Sequence, residues 1–272
     1  MNDHCEIRRQ GAALVVENRN AARRNALTDD FYQGLHAGLD RAATDPSVGA
    51  VVLVGQGDFF CAGGDLNMLM TAAKMTEEQR RHRISNLQRL IAAITTCPRP
   101  VIAAVEGGAA GAGASLAFAC DMIVAARGAR FVAAYVNAGL VPDGGLTASL
   151  SACLPPQLVA EMCLTGQPVT AERLHALGAV NRISEPGACL ADAVAIADRL
   201  GQGPGVAQAA IKRLLTDWRA SAFEAQLTRE TDAMAAALAA PEAAEGIRAF
   251  LGKRPANFAA LRQRPAVQDS AG

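Results

Sequence analysis

The chain has 272 residues, 51% of them apolar and only 19% charged, with 26 basic and 26 acidic side chains. This excludes a disordered, collagen-like or coiled-coil chain, and zero net charge leaves no global field for nucleic acid or an anionic membrane. Few charges and 25 glycines imply more buried surface than one folded monomer needs, so an oligomer is expected. The 7 cysteines form no C-x-x-C and read as free thiols of a reducing, cytoplasmic compartment. The 4 histidines lack metal-ligand spacing, so no metal is expected. The opening MNDHCEIRRQ has no apolar leader core. The most apolar stretch, Pro100–Ala126, is interrupted by Glu106 and Asp121 and reads as buried core, not a membrane span.

In chain order, Ala12–Glu17 reads as a strand. Thr28 caps a helix with Asp29 and Asp30 in its first turn and Phe31, Leu35 and Leu39 on one face. Ala50–Gly55 is a continuous apolar run of buried-strand type, followed by the glycine loop QGDFFCAGGDL. Thr76 and Gln79 form a capping box for a helix running to about Thr95, stopped by Cys97-Pro98-Arg99-Pro100. Val101–Val105 is the next strand, and GGAAGAGASLAFA is a glycine loop turning into a helix. Met122–Ala125 is a strand, Phe131–Val136 is extended or irregular, and Leu140–Gly145 is a turn. Val169–Ala171 opens a short helix, Val180–Ile183 is the last strand, and the chain from about Ala188 is helical, broken near Gly201–Pro204 and Pro241. Alternating strands and helices with a helical C-terminal quarter predict an α/β fold.

The two glycine loops each follow a buried strand and lead into helical sequence, where backbone approaches a ligand closely and unpaired N–H groups are available. Close helix–strand packing is the plainer explanation of either loop alone. Gly111-Ala112-Gly113 falls short of a dinucleotide fingerprint, because Leu116 stands where its third glycine belongs. Gly113-Ala114-Ser115-Leu116-Ala117 is one residue from a hydrolase nucleophile elbow, with Asp143 and His175 in the right order, but His175 falls mid-helix. Asp143 follows an apolar approach; Pro-Asp-Gly is ordinary turn chemistry, yet an aspartate in an apolar pocket suits a base that hands its proton back.

The segments RRNALT (23–28), VVLVGQGDFFCAGGDL (51–66), RPVIAAVEGGAAGAGASLAFACD (99–121), GLVPDGGLT (139–147), LTG (164–166) and EGIRAFLGKRPANF (245–258) together resemble the enoyl-CoA hydratase/isomerase (crotonase) superfamily over nearly the whole chain. The nearest likeness is to the phenylacetate-pathway enoyl-CoA isomerase subgroup. The resemblance implies a crotonase-like ββα spiral of two near-perpendicular sheets over residues 1–195. It further implies a helical region, 196–272, for trimerisation and CoA contact, in a homotrimer or dimer of trimers. The substrate implied is an acyl-CoA thioester, with no cofactor beyond the coenzyme A that is part of that substrate. It implies an oxyanion hole from the N–H groups of Gly64 and Ala112, Asp143 as catalytic acid–base, and substrate or CoA contacts at Arg24, Ala26, Ala62, Asp65, Leu66, Phe250 and Lys253. Family hydratases flank a water with two glutamates; the matching positions here are Ser115 and Tyr135. A double-bond shift needs one carboxylate, so the expectation is an enoyl-CoA isomerase or its ring-opening relative acting on an aryl epoxide thioester. A hydratase and a non-catalytic thioester-binding protein are the alternatives.

Overall fold

The computed structural model describes residues 4–65, 70 and 75–262. A six-stranded sheet has the order β1 (Cys5–Gln10), β2 (Ala13–Asn18), β3 (Ala50–Gly55), β4 (Val101–Val105), β6 (Met122–Ala126), β9 (Arg182–Ser184). β1 runs antiparallel to β2, and the remaining pairs are parallel. A second, three-stranded sheet joins β5 (Gly108–Ala110), β7 (Arg130–Val132) and β8 (Val169–Thr170). β3 and β4 are buried at every position, which is why their sequences are unbroken apolar runs without alternation.

Helix α1 (Asp29–Thr44) packs on β1, β2 and β3 through Phe31, Leu35 and Leu39. Its cap is Thr28, whose hydroxyl accepts the Phe31 N–H at 3.2 Å. Gly38 brings the helix against β2: a Cβ there would lie 2.7 Å from a Val16 methyl. Helix α2 (Glu77–Thr96) opens on the expected capping box, with Thr76 and Gln79 bonding each other's backbone N–H at 3.2 and 2.9 Å. It buries Ile84, Leu87, Leu90, Ile91 and Ile94.

After β5 come α3 (Ala112–Ala119), a 3-10 turn at Ala134–Ala138, α4 (Leu146–Cys153), α5 (Pro156–Thr165), α6 (Ala171–Ala176) and α7 (Cys189–Gly201). The stretch expected to be extended or irregular, Phe131–Val136, divides: its first half joins β7 and its second half coils into the 3-10 turn, whose Tyr135 is buried. The last strand begins two residues later than its apolar run suggests, because register with β6 starts at Arg182.

The C-terminal quarter is α8 (Gly205–Ala239), α9 (Pro241–Leu251) and α10 (Phe258–Arg262). Buried Lys212 fastens α8 down: its ammonium pairs with Asp121 at 2.7 Å and donates to the carbonyls of Ile94 and Arg99. Met234, Ala235 and Leu238 of α8 join the main core. Helix α9 lies on the Ala134–Ala138 turn so closely that a Cβ on Gly246 would be 2.4 Å from the Ala138 carbonyl carbon. Among the described residues, no helix is long and apolar enough to cross a membrane.

Candidate active site

The two glycine loops meet. Cys61 bridges Ala109 in parallel register, and the Ala110 N–H donates to the Cys61 carbonyl at 2.9 Å. Gly113 admits no side chain, since a Cβ would fall 2.3 Å from the Cys61 oxygen. Gly63, at φ +92°, would place a Cβ 3.0 Å from the Ala112 nitrogen. These glycines are therefore contact-enforced, and they set residues 63–64 against the start of α3. On the other side, the Leu27 N–H donates to the Gly63 carbonyl at 2.8 Å.

Ala112 is the first residue of α3, behind Gly111 at φ +54°, so its N–H is one of the donors a helix leaves unused at its start. Among the described residues, neither the Gly64 nor the Ala112 N–H has a recorded acceptor. Both residues line a cavity of about 820 Å³.

Asp143 lines the same cavity and is only 9% exposed. Its Oδ1 accepts the Tyr135 hydroxyl at 2.8 Å. Ser115, fully buried one helical turn after Ala112, has its Oγ 2.9 Å from the Tyr135 hydroxyl and donates to the Asp143 main-chain oxygen at 2.8 Å. This chain of hydroxyls locks the aspartate turn to the helix that starts at Ala112. Burial pushes the Asp143 carboxyl up to about 7; the Tyr135 bond opposes that rise and nearby Glu230 adds to it. Burial also drives the Tyr135 phenol well above its usual range, so it stays a neutral donor.

Glu230, buried on α8, was not identified from the sequence. Its carboxylate accepts the Gly145 N–H at 2.6 Å, the Thr147 N–H at 2.9 Å and the Thr147 hydroxyl at 2.5 Å. Gly145 is the N-cap of α4 and has no side chain to cap the helix, so Glu230, 83 residues beyond Thr147, does so. Gln226 supports it by donating to the Thr147 hydroxyl at 2.7 Å. No local motif announces this: Glu230 sits mid-helix, and its partners are backbone groups.

The other end of the cavity is cationic. Arg24, at φ 49°, holds its guanidinium 5.5 Å from the Phe59 ring centre, and its carbonyl accepts the Ala62 N–H at 2.9 Å. Arg23 is ion-paired to Asp65. Arg24, Ala26, Ala62, Asp65 and Phe250 all line the cavity. Lys253 is not part of that lining; it turns at φ 51° just past the end of α9. Leu66 lies outside the described residues. The hydrolase arrangement is not assembled: the His175 Nδ1 sits 2.7 Å from the Val180 carbonyl, and Ser115 engages Tyr135 and Asp143. Among the described residues, no three metal-ligating side chains cluster.

Residues 8–261 match the family described as enoyl-CoA hydratase/isomerase. The 2,3-dehydroadipyl-CoA hydratase of Escherichia coli is 33% identical over 95% of this chain and 99% of its own length. The 1,2-epoxyphenylacetyl-CoA isomerase of the same organism is 30% identical over 92% and 95%. A crystal structure of an enoyl-CoA hydratase from Mycobacterium avium subsp. paratuberculosis superposes with a TM-score of 0.83 at 30% identity, covering 94% of this chain and 98% of that one. With the family match spanning nearly the whole chain and relatives of at least 30% identity covered almost end to end, the chain belongs to the enoyl-CoA hydratase/isomerase family.

Proposed function

We propose that this enzyme shifts the double bond of an enoyl-CoA thioester, with Asp143 as the one proton carrier. The observation that carries the reading is the pairing of a single buried carboxylate with two unused N–H groups in one cavity. The thioester oxygen accepts the Gly64 and Ala112 N–H groups. Asp143 removes a proton from C2 of a 3-enoyl chain, and the electron pair moves onto the thioester as a dienolate. The two donors stabilise the new negative charge; losing one such donor typically costs about 10²–10³ in rate. Asp143 then delivers the proton to C4 on the same face, leaving a 2-enoyl thioester.

The network around Asp143 suits a group that must both take and return a proton. Its carboxyl, pushed up to about 7, is matched to neutral pH, where general acid–base exchange is most effective. Tyr135 occupies Oδ1, which leaves Oδ2 for the substrate carbon. Ser115 and Tyr135 each donate their one hydroxyl hydrogen to Asp143, so neither replaces the second glutamate that activates water in the two-glutamate scheme.

Hydration of a 2-enoyl thioester is the second reading, favoured by the names of the relatives, which are mostly hydratases. Proton NMR in D₂O separates the two. Isomerisation gives deuterium at C2 and C4 and a 2-enoyl product from 3-enoyl-CoA; hydration gives a 3-hydroxyacyl product from crotonyl-CoA. Turnover of crotonyl-CoA without exchange on 3-enoyl-CoA discards the isomerase reading. We also assign the exposed apolar side chains Ile211, Leu214 and Leu215 on α8 to subunit contact in a trimer or dimer of trimers.

A further inference from the structure

We infer that the acyl end of the cavity receives chains terminating in a carboxylate, gripped by the Arg83 guanidinium and the Tyr32 hydroxyl. This rests on the reading above only in taking the cavity as the acyl-CoA site and Asp143 as its reacting centre.

The ends of the cavity are ordered by the segment that runs along it. Arg24 bonds Ala62 through its carbonyl, Leu27 bonds Gly63 and bridges Gly64, and Tyr32 follows in the first turns of α1. Tyr32 thus stands beyond the Gly64 N–H, on the side away from the cationic mouth at Arg24. The facing wall is α2. Leu87 lies against the aspartate turn, where a Cβ on Gly144 would be 2.8 Å from its Cδ2. Arg83 is one helical turn before Leu87, about 6 Å along the axis and on the same face. That offset places its side chain a few carbons past the ones Asp143 reaches. The Tyr32 phenol senses the charges of both Asp143 and Arg83, as well as Asp29, so these groups converge on it.

Both polar ends lack protein partners. Among the described residues, Arg83 has no ion pair or hydrogen bond, and no hydrogen bond engages the Tyr32 hydroxyl. Both line the cavity. Arg83 also borders a surface recess with Glu78 and His82, neither of which pairs with it among the described residues. Ile84 and Leu87 from α2 and Met234 and Leu238 from α8 give the lining its apolar part, with Asn86 and Asp29 as further polar side chains near Arg83 and Tyr32. A hydrocarbon or phenyl terminus would cover the cation and the hydroxyl and leave them unpaired, which is costly. A carboxylate accepts from both, with the charge-assisted bonds that a guanidinium fork makes best.

The test is equilibrium binding of saturated thioesters, which neither isomerise nor hydrate. Adipyl-CoA and suberyl-CoA are each compared with hexanoyl-CoA and octanoyl-CoA, with phenylacetyl-CoA as an apolar control. The wild type should prefer the better carboxylate-ended thioester over its chain-matched partner by about tenfold. Arg83→Gln should bring that ratio near one, Arg83→Lys should keep part of it, and Tyr32→Phe should lower it about threefold. A ratio unmoved in Arg83→Gln, or tighter binding of the monocarboxylyl or phenylacetyl thioesters to the wild type, overturns the proposal. If the ratio behaves as expected while 3-enoyl-CoA shows no exchange, the isomerase reading fails and this inference stands.

Discussion

The two ends of the cavity are built by opposite means. At the aspartate end, the catalytic turn is tied down by buried hydrogen bonds: Asp143 accepts from Tyr135 and Ser115, and Glu230 accepts from the Gly145 N–H. At the cationic mouth, contacts are exposed: Arg24 is exposed and rests on Phe59, and Phe250 is 65% exposed. The lesson is that the reacting end is pre-organised by buried hydrogen bonds, whereas the mouth contributes affinity through pieces that water can screen. Substitutions at the first end should therefore change kcat and its pH dependence, and substitutions at the second should change KM.

The largest effect is expected at Asp143. Asp143→Asn keeps an oxygen for the Tyr135 hydroxyl but cannot carry a proton, so kcat should fall by about 10²–10⁴. Stability gives an independent check on its burial. A carboxyl raised from 3.8 to about 7 binds its proton more tightly folded than unfolded, so the wild type loses stability as pH rises between those values. The variant escapes that loss. Denaturant unfolding should show Asp143→Asn gaining on the wild type from pH 4 to pH 8 by up to a few kcal/mol. A gap independent of pH would mean that Asp143 is not held in the buried state described.

Next in size is the oxyanion donor. Ala112→Pro removes one N–H at the first helical position, the place where proline is best tolerated. The expected result is a loss of about 10²–10³ in kcat with thermal unfolding little changed. Equal turnover by this variant would show that the Ala112 N–H does not touch the developing charge.

The same contrast explains which features were readable beforehand. Gly111 at positive φ, the Thr76 capping box and the Pro-Asp-Gly turn each satisfy a constraint set within a few residues, so sequence spacing reveals them; Gly63 and Gly113 answer contacts with the opposite loop and show in the sequence only as glycine-rich stretches. Strand β1 escaped notice because CEIRRQ is half-buried along its length and carries no apolar run. Glu230 and Arg83 escaped for a different reason: their neighbours at the site come from remote segments, and on the helix each reads as one more solvated charge. Tyr135 drew attention only as a missing carboxylate. Its role as a donor to Asp143 depends on the 3-10 turn, where the sequence suggests only an extended or irregular segment.

Tyr135 and Glu230 bear on Asp143 with opposite sign, which makes them a matched pair of smaller tests. The ionisable groups around Glu230 are Asp143 on its turn, Tyr135 on the 3-10 turn and Cys163 on α5. In the wild type, kcat/KM should rise with pH through a midpoint near 7 as Asp143 ionises. Tyr135→Phe deletes the hydrogen bond that favours the carboxylate, so the midpoint should move up. Glu230→Gln deletes the repelling charge, so it should move down, with kcat falling about tenfold as the amide loses acceptor positions for Gly145 and Thr147. Shifts in the same direction would refute the electrostatic assignment, because loosening alone does not give opposite signs.

The smallest effect belongs to the mouth. Arg24 is exposed, and its cation faces a ring and solvent, with no buried carboxylate. Contacts of that kind are worth roughly 0.2–1 kcal/mol and weaken with salt. Arg24→Ala should therefore raise KM for any acyl-CoA by about two- to fivefold with kcat unchanged, the signature of binding shared by ground and transition states. The ratio should shrink toward one as ionic strength rises. A drop in kcat at this position would mean that the mouth also positions the thioester against Gly64, and the division between the two ends would have to be redrawn around the Ala62–Arg24 backbone bond.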